Sequence, residues 1–222
     1  MSDDHERSIG EKQILLSGKI KQVYELMGDD KEEEAADLWA EIAEEIWPVI
    51  DGVIAELKMD KKPTEDKVDR SYDKEYDLNS VLADADVALA YSKRNEERLR
   101  FNRRLLATFD TSKEDYQYSS AKQAIAESLN GLGRYEECDA FLKEWKEEDP
   151  DEVYSDFVGL RCLYERKQDP EQLKKLCDFY MERKEFNAPS EDVRSLYEMI
   201  AIIYGELGEE ELQKKAEERM NG

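Results

Sequence analysis

Ile125-Ala126-Glu127-Ser128-Leu129-Asn130-Gly131-Leu132-Gly133-Arg134-Tyr135-Glu136-Glu137-Cys138-Asp139-Ala140-Phe141-Leu142 is the stretch that decides the fold. Ala121, Ile125, Ala126, Leu129 and Leu132 recur at intervals of three and four, which places them on one face of a helix. That pattern runs into Gly133-Arg134, and a glycine just past the last periodic residue is a helix stop. Tyr135, Cys138, Phe141, Leu142 and Trp145 then repeat the spacing until Asp149-Pro150 ends it. Two amphipathic helices joined by so short a turn predict a helix hairpin.

The same punctuation appears on both sides of this stretch. Toward the C-terminus, Val153, Phe157, Leu160, Leu163 and Tyr164 precede a turn at Gln168-Asp169-Pro170, and Leu173, Leu176, Cys177, Tyr180 and Phe186 follow it. Leu196, Ile200, Ile203, Tyr204 and Leu207 then lead to Gly208, with Leu212, Ala216 and Met220 beyond. Toward the N-terminus, Leu78, Val81, Leu82, Ala85, Leu89 and Ala90 form one pattern and Leu99, Leu105, Leu106 and Phe109 another. The turns fall near Lys93-Arg94, Gly133-Arg134, Gln168-Asp169 and Gly208-Glu209, about 35 to 40 residues apart, which is the interval of helical-pair repeats. No segment alternates as a strand would.

The first 57 residues predict a hairpin of their own. Ile14, Leu15, Ile20, Val23, Tyr24 and Met27 share helical spacing and stop at Gly28-Asp29-Asp30. Ala35, Leu38, Trp39, Ile42, Ala43 and Ile46 follow, and Pro48 is expected to kink or end that helix. Residues 58–76, which include Lys61-Lys62-Pro63, are charged and read as a solvated linker. The expected organisation is therefore a hairpin over 1–57, a linker over 58–76 and helical repeats over 77–222.

Tyr197-x-x-Ile200-Ala201-x-x-Tyr204-x-x-x-Gly208 resembles the first helix of a tetratricopeptide repeat. Ile125 to Leu142, closed by Pro150, resembles one whole such repeat, with Cys138 at the usual small alanine position. The middle unit departs from the pattern, because Gly159-Leu160 reverses the aliphatic-small order and its turn has no glycine. The resemblance implies an all-α superhelix of about five hairpins, the last three tetratricopeptide-like. It also implies a concave side, lined by the first helix of each pair, on which a protein or peptide segment docks.

Composition narrows the function. Fifty-six acidic against 33 basic side chains give a net charge of −23, so phosphate backbones and anionic membranes repel the chain. The start has no basic segment followed by an apolar core, and the apolar run Ile46 to Ile54 is too short to span a bilayer. A cytoplasmic protein without nucleic-acid or membrane partners is expected. Three cysteines without a C-x-x-C pair fit a reducing compartment. The single histidine, His5, leaves no base for a Ser-His or Cys-His mechanism and at most one imidazole for a metal. No metal or cofactor is implied.

On the repeat reading, the outward positions of the groove are Gln123, Glu127 and Asn130, then Phe157, Arg161 and Tyr164, then Glu198 and Ile202. Phe157, Tyr164 and Ile202 also suit packing between repeats. Lys93 to Arg104 carries six basic and two acidic residues, and Arg98, Arg100, Arg103 and Arg104 could receive a carboxylate or phosphate or pair with nearby acids. The functional expectation is a non-catalytic interaction module with a mostly acidic groove for a basic partner. Its rivals are a self-associating subunit that forms homo-oligomers and a carboxylate-dependent hydrolase.

Overall fold

Each turn between paired helices is closed by a residue in the left-handed region. In the computed structural model, which describes residues 8–58, 62–70, 72, 75–111, 116–150, 152–167, 170–183 and 190–221, that residue is Asp30, Lys93, Gly133, Lys167 or Gly208, with φ between 51° and 75°. At four of them the next amide reaches back five residues: Lys31 N to Leu26 O (3.0 Å), Arg94 N to Leu89 O (3.0 Å), Arg134 N to Leu129 O (2.9 Å) and Glu209 N to Tyr204 O (2.9 Å). This is the Schellman closure, which satisfies carbonyls that the helix end leaves bare. Only two of the five positions are glycine. Gly28, read from sequence as the first stop, lies inside its helix, and Asp30 makes the turn.

The described residues form eleven helices and no strand: α1 (Ile9–Gly28), α2 (Glu32–Leu57), α3 (Glu65–Asp69), α4 (Leu78–Tyr91), α5 (Asn95–Thr108), α6 (Tyr116–Gly131), α7 (Tyr135–Glu148), α8 (Tyr154–Glu165), α9 (Pro170–Glu182), α10 (Glu191–Glu206) and α11 (Glu210–Asn221). The all-α expectation is met. The chain divides into two compact units, residues 1–128 and 129–222, with the boundary inside α6.

In the first unit α2 packs on α1, α4 and α5. Trp39, Ile42, Ile46, Val49, Ile50 and Val53 of α2 are buried with Leu16, Ile20 and Val23 of α1, Leu78, Val81, Leu82, Ala85 and Leu89 of α4, and Phe101 and Leu105 of α5. Fully burying each such side chain contributes about 1.5–3 kcal/mol. Three expectations need correction here. The buried stripe of α1 is Leu16-Ile20-Val23, whereas Ile14, Leu15 and Met27 are exposed. Pro48 does not end α2, because Ile46, Trp47, Val49 and Ile50 on either side of it are held in one core. Residues 58–76 are not solvated throughout, since they contain α3, and Val68 and Tyr72 are buried in the core. Asp69 Oδ1 accepts the Leu78 amide (2.7 Å), and Pro63 O accepts that of Asp110 (2.8 Å). Lys61 of the expected linker lies outside the described residues, as do His5 and the Gln168-Asp169 turn.

In the second unit α8 packs on α7, α9 and α10, and α10 on α9 and α11. Leu160, Leu173, Cys177, Tyr180, Val193, Leu196, Tyr197, Ile200, Ala201, Ile203, Tyr204 and Ala216 make its core. α7 and α8 run antiparallel, because Trp145 meets Tyr154 (6.3 Å between ring centroids) at one end and Arg166 lies over the Tyr135 ring (4.7 Å) at the other.

Candidate functional site

In the second unit a hollow of about 530 Å³ is lined by Tyr164, Glu165, Lys167, Pro170, Leu173, Ile203, Glu206 and Leu207. Helix ends build it. Tyr164 and Glu165 are the last residues of α8, Ile203 and Glu206 belong to the last turn of α10, and Pro170 opens α9, where its missing N–H costs nothing. Leu173 and Ile203 are buried and form an apolar floor with the half-buried Leu207.

The rim is acidic. Tyr164 donates its hydroxyl to Glu206 Oε1 (2.5 Å), and that hydrogen bond holds the phenol above its ordinary pKa. Glu165 accepts from Arg161 Nε (3.2 Å) and Asn130 Nδ2 (3.3 Å). Among the described residues, Lys167 is the one cation in the lining. The C-termini of α8 and α10 add partial negative charge to that of the two glutamates, which the N-terminus of α9 at Pro170 partly offsets.

The eight groove positions read from sequence do not all lie where a ligand could touch them. Glu127 is half-buried and accepts Arg98 Nη1 (2.8 Å) and Gln123 Nε2 (2.7 Å). Asn130 is buried, and its Oδ1 accepts Arg166 Nε (2.5 Å). Phe157 packs against the second core and the Tyr154 ring (5.6 Å). Glu127, Asn130 and Phe157, with Gln123 hydrogen-bonded to Glu127, are thus engaged within the fold. Arg161 flanks Glu165, Tyr164 lines the hollow, and Glu198 and Ile202 are exposed on α10. Of the lining residues, the sequence reading names only Tyr164 as a groove position and misses Glu165, Lys167, Pro170, Leu173, Ile203, Glu206 and Leu207. Glu206 is one of 56 acids, and nothing in its neighbours in sequence distinguishes it.

The basic run from Lys93 to Arg104 resolves into ion pairs. Arg98 is a buried hub in the first unit: Nε and Nη2 donate to Asp86 Oδ1 (2.9 Å) and Oδ2 (3.0 Å), and Nη1 donates to Glu127. Asn102 Nδ2 adds a bond to Asp86 Oδ1 (2.5 Å). Burial works against the Arg98 charge, but Asp86 and Glu127 outweigh it and raise its pKa. Arg98 is the fifth residue after its left-handed turn, the place that Ala35 and Cys138 fill in their hairpins. A small-residue site thus holds an arginine, compensated by two carboxylates. Arg100 pairs with Glu44 (2.7 Å), Arg104 with Asp51 (2.6 Å) and Arg94 with Asp37, while Arg103 is exposed. Of the two readings that the sequence allowed for Arg98, pairing with nearby acids is the one its contacts match.

Arg100 and Arg104 also border a second cavity of about 380 Å³, floored by Ala43, Trp47, Pro48 and Phe101. Among the described residues no group of three His, Cys, Asp or Glu side chains is placed to hold a metal ion, and no helix is long and apolar enough to cross a membrane. No family model, curated protein or solved structure matches the chain.

Proposed function

We propose that the chain is a non-catalytic protein-interaction module that holds a basic, partly apolar segment of a partner protein at the Tyr164–Glu206 hollow. The observation that carries this reading is the juxtaposition of an apolar floor, Leu173, Ile203 and Leu207, with a rim of Glu165, Glu206 and two helix C-termini. An aliphatic side chain would be desolvated on the floor while a neighbouring Lys or Arg meets the rim. The net charge of −23 would raise the encounter rate of such a segment. The packing of α8 on α10, each with its own partner helix, is what stacked tetratricopeptide-like pairs would make, and it supports reading this face as a shared trough.

Fluorescence anisotropy of a labelled peptide of alternating Lys and Leu tests the reading. Saturable binding that weakens as salt rises is expected. Glu206→Lys should lower affinity about tenfold, roughly 1.4 kcal/mol, and Glu147→Lys, an exposed acid on α7, should have little effect. Equal affinities for the wild type and Glu206→Lys would refute the assignment.

A further inference from the structure

Along the antiparallel contact of α7 and α8, residues face each other in rungs. Trp145 meets Tyr154, Leu142 meets Gly159, where a Cβ would stand 3.9 Å from Leu142 Cδ1, and Tyr135 meets Arg166. Four residues back from Leu142 along α7 is Cys138, and three forward from Gly159 along α8 is Cys162. On helices that rise 1.5 Å per residue, those steps bring the two cysteines to the same level and face. Both are fully buried and reduced, and Cys162 is the neighbour that does most to lower the Cys138 pKa.

Arg166 completes the cluster. Its Nε is taken by Asn130 and its Nη1 by Asp139 (2.7 Å), whereas Nη2 is buried without a hydrogen-bond partner. Besides Asp139, Cys138 also favours the charged form of this guanidinium. A buried N–H without an acceptor is costly, and a thiolate at Cys138 would supply that acceptor.

We propose that Cys138 and Cys162 are a redox pair, oxidised by hydrogen peroxide to a disulfide that staples α7 to α8. The Cys138 thiolate attacks one peroxide oxygen, the O–O bond breaks, and the departing hydroxide takes up the proton that Cys138 released, giving water and a sulfenic acid. The Cys162 sulfur then attacks the Cys138 sulfur and breaks its S–O bond, and the Cys162 proton leaves with the hydroxyl as a second water. Two thiols are oxidised and one peroxide is reduced. Cys162 and the Arg166 charge favour the thiolate against burial, so the Cys138 pKa is lowered. Cys177 lies in apolar surroundings that push its thiol up to about 12, which leaves it outside the reaction. Because both sulfurs are shielded from water, a molecule as small as peroxide reaches them far more readily than glutathione disulfide does.

Thiol counting on the unfolded full chain, after exposure of the native protein to excess hydrogen peroxide, tests this. The three thiols of the chain are expected to fall to one and return to three with dithiothreitol, and peptide mapping should find Cys138 joined to Cys162. Cys177→Ser should form the same bridge, and Cys162→Ala should accumulate sulfenic acid at Cys138. Arg166→Gln should shift the pH midpoint of the oxidation rate upward, which a packing role alone would not do. Three thiols surviving in the wild type, a bridge to Cys177, or a bridge between chains would overturn the proposal, and none of these readings depends on a variant folding.

Discussion

The two units satisfy their buried polar groups with different mixes of chemistry. The first places a guanidinium between carboxylates, Arg98 with Asp86 and Glu127, and adds the phenol of Tyr24 on Asp84 (2.5 Å). The second also buries a guanidinium, Arg166 on Asp139 and Asn130, but adds the phenols of Tyr180 on Asp156 (3.2 Å) and Tyr204 on Asp178 (2.7 Å) and the Cys177 thiol in its core. A guanidinium keeps its proton at any pH a protein survives. Phenols and thiols do not, so the second unit carries a vulnerability to base that the first has mainly at Tyr24. Burial and neighbouring carboxylates raise the pKa of Tyr24, Tyr180 and Tyr204 above the ordinary phenol range, desolvation contributing most in each case.

The strongest way to break this contrast is at Arg98. Arg98→Ala leaves Asp86 and Glu127 facing each other without a cation, and the first unit should lose about 3–5 kcal/mol. Urea unfolding followed by Trp39 and Trp47 fluorescence in a Trp145→Phe background reads this. A loss below about 1 kcal/mol would show that water compensates the pair.

Alkaline titration sharpens the contrast from the other side. Folding raises the Cys177 pKa to about 12, so the stability it contributes is intact below pH 9 and is lost as pH rises through the interval up to about 12. Each unit of that interval costs about 1.4 kcal/mol, and the raised tyrosines act with the same sign at higher pH. Trp145 fluorescence, in a Trp39→Phe/Trp47→Phe background, should therefore report unfolding of the second unit at a lower pH than Trp39 and Trp47 report for the first. Cys177→Ala should flatten the dependence on pH between 9 and 12.

The turns give a smaller effect that both units share. Gly133→Ala and Gly208→Ala put a Cβ where φ is 72° and 75° and should each cost about 1 kcal/mol. Lys93→Gly and Lys167→Gly, at φ of 55° and 51°, should each gain about 0.5–1 kcal/mol, because they relieve the same strain. Thermal unfolding checks the opposite signs. Arg100→Ala should change stability by less than about 0.5 kcal/mol, since it and Glu44 are both exposed.

These same residues show what was legible beforehand. Helices and turn positions followed from periodicity because burial needs a continuous apolar stripe, and Ile42, Leu82, Leu129 and Ile200 supply it. Lys93 was placed at a turn by spacing, but nothing in its side chain signals a left-handed backbone. The stripe on α1 was misassigned because Ile14 and Leu15 are as apolar as Leu16, and only the neighbouring helix selects among them. Val68 and Tyr72 are two apolar residues in a charged segment, too few for a periodic signal, although a core can still absorb them. The hollow was barely legible. Tyr164 is the one groove position read from the sequence that lines it, whereas Glu206 becomes distinctive only when α10 is brought beside α8. The pairing of Arg98 with Asp86 and Glu127 joins residues 12 and 29 positions away, which a linear pattern does not reveal.

Backbone amide shifts of the isotopically labelled chain, followed during titration with the Lys-Leu peptide, test the central reading most directly. Saturable shifts gathered at Tyr164, Lys167, Leu173, Ile203 and Glu206 and reduced by salt are expected. Shifts gathered instead around Trp47 and Arg104 in the first unit, or no saturable shifts, would contradict it.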